Sequence, residues 1–143
     1  MLKDFNKLNI YVKLVIGIVI IIVIAIAIQR ISIWAKMQSS QFQLNQEQAV
    51  YEAQGLKLTY PPTQYNTYAD TLENSDGTWN DDEEAIYTVF RSMRNDLDVL
   101  ELEKKYRASH GRSIADFLTD VFYRYEIEEV NAILAGNSIV RNY

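Results

Sequence analysis

From Leu14 to Ile28 the chain reads LVIGIVIIIVIAIAI without one polar side chain, and Ile10 to Val12 before it and Ile31 to Trp34 after it bring the stretch to bilayer-spanning length. Only a helix crosses lipid with every backbone N–H and C=O satisfied inside one segment, and roughly 20 apolar residues span the hydrocarbon. Lys13 at one boundary and Gln29 and Arg30 at the other then reach outward to the phosphate level, as long basic side chains readily do. Leu14, Ile18, Ile22, Ile28 and Trp34 are the expected membrane residues. A signal peptide shares part of this pattern, with Lys3 and Lys7 ahead of the run and the small residues Ala25 and Ala27 near its end. The run is long for a signal and resumes beyond Arg30, so a retained anchor over residues 1–36 is expected.

Past Met37 the pattern changes. Glutamine recurs at 38, 41, 43, 46, 48 and 54, while Phe42, Leu44, Val50 and Tyr51 are sparse and irregularly spaced. Residues 37–62 are therefore expected to form a stalk or linker, continuing the membrane helix as far as Gly55. Leu56, Leu58 and Tyr60 alternate with polar residues before Pro61-Pro62 and predict extended chain ended by a turn.

Beyond Pro62 the apolar period becomes helical. Tyr65, Tyr68, Ala69 and Leu72 form one stripe, with Thr63 as N-cap. Ile86, Val89, Phe90 and Met93 form the next, started by the acids Asp81 to Glu84. Val99, Leu102 and Tyr106 follow, begun near Asn95 or Asp96 and stopped by Gly111. Ser113 opens a fourth stripe of Ile114, Phe117, Leu118 and Val121, and Ile127, Val130 and Leu134 close the series near Gly136. The expected fold is all-α: a transmembrane helix plus a small five-helix bundle over residues 63–135, with residues 136–143 a tail that is frayed or paired with something outside the chain.

Charge then orients the molecule. Lys3, Lys7 and Lys13 precede the span, which favours a cytoplasmic N-terminus and a C-terminal domain outside. From Met37 onward nine Lys and Arg stand against eighteen Asp and Glu, a balance of −9. That acidity argues against nucleic acid as partner and makes an anionic lipid surface unattractive unless a cation intervenes. The lipid bilayer and a protein, either another chain or a second copy, are the expected partners. The absence of cysteine removes disulfides, thiolate metal sites and cysteine nucleophiles. The single histidine, His110 beside Gly111, reads as a helix-end residue near the last carbonyls.

The ordered set DDEEAIYTVF, LELEKKYRASHGRSIADFL and EIEEVNAIL resembles a single annexin repeat. It has an acidic start before an apolar helix, an aromatic residue and then a Gly-Arg turn at Tyr106 and Gly111-Arg112, a Ser113 to Leu118 helix, and a closing apolar helix. The likeness runs from about Thr63 to Leu134 and is similar in particular to membrane-tethered, single-repeat annexin-like proteins of bacteria and their phages. It implies a bitopic component of a phage membrane or a bacterial envelope. Two departures bear on calcium. Trp79, Asn80 and Asp81 separate Gly77-Thr78 from the acids that annexins place next to it, and the distant acidic ligand aligns with Val121, one residue from Asp120.

Independently of that likeness, Asn74, Asp76, Gly77, Asn80 and Glu83 satisfy much of an EF-hand loop, although its first ligand position holds Leu72. Asp76, Asn80 and Glu83, joined by Asp120, are thus the candidate metal ligands, and calcium is the cation such oxygens would take. The competing reading is that acids at a helix start stabilise its dipole and need no metal. Weak or absent calcium binding is expected, with no other cofactor. Glu83, Asp116 and Asp120 as paired carboxylates acting on cell-wall glycan form a third reading, but a small bundle offers little cleft for them. No enzyme activity is expected. Phe122, Tyr123 and Tyr125 exceed what a small core buries and are the candidate protein-contact residues. The function expected is a membrane-anchored structural or adaptor protein, with calcium-dependent phospholipid binding as the alternative.

Overall fold

The computed structural model describes residues 10–76 and 82–143, with the side chains of residues 10, 11, 13 and 33–37 outside that description. Among the described residues it is all-helical, with α1 (Ile10–Ala53), α2 (Pro62–Asn74), α3 (Glu83–Ser92), α4 (Asp96–His110), α5 (Ile114–Val121) and α6 (Arg124–Gly136). The chain separates into two compact units, Met1–Ser40 and Gln41–Tyr143.

In the first unit, Leu14–Ser32 gives 19 helical residues of mean hydropathy 2.9, none of them buried. Leu14, Ile18, Ile22 and Ile28 are all exposed; the side chain of Trp34 lies outside the described residues. A helix apolar on every side and covered by no protein is long and apolar enough to cross a membrane. The Ser32 hydroxyl donates to the Gln29 carbonyl at 2.8 Å, so the polar group at the end of the run is satisfied within the helix.

In the second unit, caps explain where each helix begins. α2 starts at Pro62 rather than after Thr63: Pro61 takes the cap position and Pro62 brings the φ that a first helical residue needs, without a donor to satisfy. Asp82 caps α3 by accepting from the Ala85 N–H at 3.1 Å, and Asn95 caps α4 by accepting from the Asp98 N–H at 3.0 Å. Gly111, at φ 73°, ends α4 in the left-handed region that glycine enters without penalty. Ser113 and Asp116 form a reciprocal capping box for α5.

The apolar stripes converge as the sequence period implies. Tyr65, Ala69, Leu72, Ile86, Val89, Phe90, Met93, Val99, Leu102, Tyr106, Ile114, Phe117, Leu118, Val130 and Leu134 share one core. α4 is buried almost all round, including Asp98, Glu101 and Glu103. Asp98 is the polar centre of this arrangement. Its Oδ1 accepts from the Thr59 N–H at 2.9 Å and the Tyr65 hydroxyl at 2.5 Å, and its Oδ2 from the Thr59 hydroxyl at 2.7 Å and the Arg94 N–H at 2.9 Å. One buried carboxylate thereby ties the 54–61 connector, α2 and the α3–α4 turn together, with each acceptor site filled.

Two segments differ from the sequence expectation. The stretch 37–62 is not a free stalk throughout. From Gln41 it belongs to the compact unit, because Leu44 is buried against Leu97 and Leu100, with Tyr51, Leu56 and Leu58 packed on the same cluster. Lys104 donates to Gln48, and Arg141 meets Glu47 at 2.6 Å. The tail is not frayed. Ser138, in the left-handed region at φ 60°, lets the Ile139 N–H reach the Leu134 carbonyl at 3.0 Å, which closes α6 and drives Ile139 into the core. Asp96 then accepts from the N–H groups of Val140 and Arg141, and Asn131 exchanges two hydrogen bonds with the Tyr143 backbone.

Candidate functional site

Two of the acids singled out as metal ligands, Asp76 and Asp120, meet a cation that the chain itself supplies. Arg112 is held between the left-handed Gly111 and the Ser113 cap. Its Nη1 donates to Asp120 at 2.8 Å, its Nη2 to Glu73 at 3.1 Å and to Asp76 at 3.4 Å, and its Nε to the Tyr106 hydroxyl at 3.2 Å. Tyr106 in turn donates to Glu73. The guanidinium lies 5.2 Å from the centre of the Phe117 ring. The planar fork thus satisfies carboxylates from the end of α2, from the residues after it and from α5, while its face rests on an aromatic of the core.

Titration follows this geometry. Burial pulls the Glu73 carboxyl upward, but the hydrogen bonds from Tyr106 and Arg112 outweigh it and hold the group below its usual range. Burial, then the hydrogen bond to Glu73, pushes the Tyr106 phenol well above its ordinary value. The carboxylates here are at least a third exposed, so each pairing alone is worth little; the stacked, multiply bonded guanidinium is what gives the cluster its shape.

Asp76 and Asp120 therefore come together as the sequence places them, but around Arg112. Glu73, which sequence reasoning did not single out, joins them. Glu83 lies on the exposed first turn of α3, and Asn80 lies outside the described residues. Among the described residues, no three His, Cys, Asp or Glu side chains are grouped to hold a metal ion. Of the three carboxylates named for glycan chemistry, Asp116 accepts from the Ser113 hydroxyl at 2.5 Å, which holds its carboxyl below the usual range, and Asp120 is bound to Arg112. His110 ends α4 as expected, its ring 4.9 Å from that of Tyr106 and its Nε2 at 3.4 Å from Asp70.

The three aromatics at the α5–α6 junction divide. Phe122 is buried in the core, 5.6 Å from the Tyr87 ring, and so is not a contact residue. It lies four residues after Leu118 and eight after Ile114, a spacing that marks the core face of α5. Tyr123 and Tyr125 are 74% and 66% exposed, and their rings stack with centres 6.0 Å apart and planes 8° from parallel. The buried Glu126 holds this corner by accepting from the Tyr123 N–H at 2.6 Å. Arg124 between them pairs with Glu128 at 3.1 Å.

Comparison with protein-family models, with curated proteins and with solved structures returns no match.

Proposed function

We propose that the chain is a single-pass membrane-anchored adaptor, held by the Leu14–Ser32 span and presenting the Gln41–Tyr143 unit outside the cytoplasm for contact with protein. The observation that carries this reading is a wholly uncovered apolar span in the same helix that enters a compact acidic unit, which among its described residues exposes Phe42 and, at one corner, the stacked pair Tyr123 and Tyr125. Large exposed aromatics at a fixed corner are the side chains from which protein interfaces draw most of their energy. The annexin-like reading rests on the ordered motifs from Asp81 to Leu134 alone. A component of a phage membrane or bacterial envelope agrees with the span and the acidic outer unit alike.

Calcium-dependent lipid binding is the second reading, favoured by the meeting of Asp76 with Asp120. It requires calcium to displace the Arg112 guanidinium from both, which ranks it below protein contact. The test is photo-crosslinking in the native membrane, with a benzophenone amino acid at Tyr125 and, as control, at Asp70 on α2. The adaptor reading expects a discrete protein adduct from position 125 and none from position 70. Adducts from neither, together with calcium-dependent attachment to anionic vesicles, would replace it with the lipid reading.

A further inference from the structure

The corner that carries the stacked tyrosines is also acidic, and that combination specifies its partner more closely. α3 and α6 pack against each other, which sets Tyr87 of α3 beside Phe122 and brings Glu83, Glu126 and Glu129 within electrostatic reach of it. Glu83 and Glu129 are exposed, and Glu126 is buried beneath the corner. The Arg124 charge is paired with Glu128. The hydrogen bond to Glu126, with the charges of Glu126 and Glu83 behind it, raises the Tyr125 phenol above its usual value, and burial followed by Glu126 and Glu83 does the same to Tyr87. Both phenols thus stand in a negative field. Their π-faces add to it, since a ring face attracts cations.

We infer that the Tyr123–Tyr125 corner, with Glu83 and Glu129 at its rim, docks an Arg- or Lys-bearing segment of a partner protein. Stacked tyrosines supply flat, rigid surface for a guanidinium or for the stem of a lysine, and the rim carboxylates supply the ends for its charge. The −9 balance of the unit steers such a segment toward it and repels acidic competitors.

This inference rests on the adaptor reading. It is tested with the full chain in nanodiscs of zwitterionic lipid, using a fluorescent nonapeptide of alternating arginine and serine as probe and anisotropy as readout. The expected result is saturable binding that weakens with salt and falls by about fivefold or more in Tyr123→Ser/Tyr125→Ser and in Glu129→Gln. Glu52→Gln and Asp70→Asn, acids on other helices, should change it by less than about twofold. No binding to the unaltered chain, or an equal loss in all the acid variants, would overturn the inference. So would self-association in the absence of peptide that the tyrosine variant abolishes, since the corner would then serve a second copy. If the peptide fails while the adduct from position 125 persists, the cationic partner falls and the adaptor stands; if both fail, both readings fall.

Discussion

Asp98 is the residue on which the second unit turns. Removing its carboxylate leaves the buried Tyr65 hydroxyl and the part-buried Thr59 and Arg94 N–H groups without their acceptor. Each such orphan costs about 1 to 3 kcal/mol, so Asp98→Ala should destabilise by about 3 kcal/mol or more, read by urea denaturation of the full chain in detergent. A loss below about 1 kcal/mol would mean the network is not what joins the connector to α2. Arg112 invites the opposite experiment. If its guanidinium fills the cation position between Asp76, Asp120 and Glu73, then Arg112→Ala should lower stability by about 1 to 2 kcal/mol, and excess calcium should restore part of that loss in the variant while leaving the unaltered chain's melting unchanged. Calcium that stabilises the unaltered chain and does nothing for the variant would refute the substitution of one cation by the other. Neither residue announces its role in the sequence. Asp98 interrupts an apolar helix as a solvated acid would, and the partners of Arg112 stand 36 and 39 positions upstream for Asp76 and Glu73.

At the scale of elements, the stripes of α2, α3, α5 and α6 were legible because one face of each is apolar at helical spacing and the other is wet. α4 was only half legible: Val99, Leu102 and Tyr106 mark one face, while the burial of Asp98, Glu101 and Glu103 depends on partners that local pattern does not reveal. The packed end of α1 was hidden for a similar reason, since Gln48 stands between Leu44 and Tyr51 where an apolar residue would have completed a stripe. The docking of the tail leaves no local pattern, because it relies on a left-handed serine in place of glycine and on backbone bonds to Asp96 and Asn131. Deleting residues 137–143 removes Ile139 from the core, the Tyr143 ring from Phe90 and the Arg141–Glu47 pair. The truncated chain should lose about 2 to 5 kcal/mol, measured by thermal or chemical unfolding. Unchanged stability would return the tail to the frayed state that its polarity implies.

For the whole molecule, stability should form a plateau bounded on both sides by groups already named. Glu73 and Asp116 titrate below their ordinary values in the folded chain, so their contribution is present above pH about 4 and is lost as pH falls further. Tyr65 and Tyr106 titrate above theirs, chiefly through burial, so their contribution is present below pH about 10 and is lost as pH rises beyond it. Melting temperature against pH in detergent should fall at both ends; a molecule most stable above pH about 10 would contradict the buried, neutral phenols.

The anchored, outward-facing arrangement is tested most directly by the chemistry the chain lacks. It contains no cysteine, so a single one introduced as Asn142→Cys or Asn6→Cys reports its own side of the membrane. In right-side-out vesicles of a bacterial inner membrane, a membrane-impermeant maleimide should label Asn142→Cys at once and Asn6→Cys only after the vesicles are opened, with both variants resisting extraction by alkaline carbonate. Labelling in the reverse order, or release of the chain by carbonate, would contradict the account.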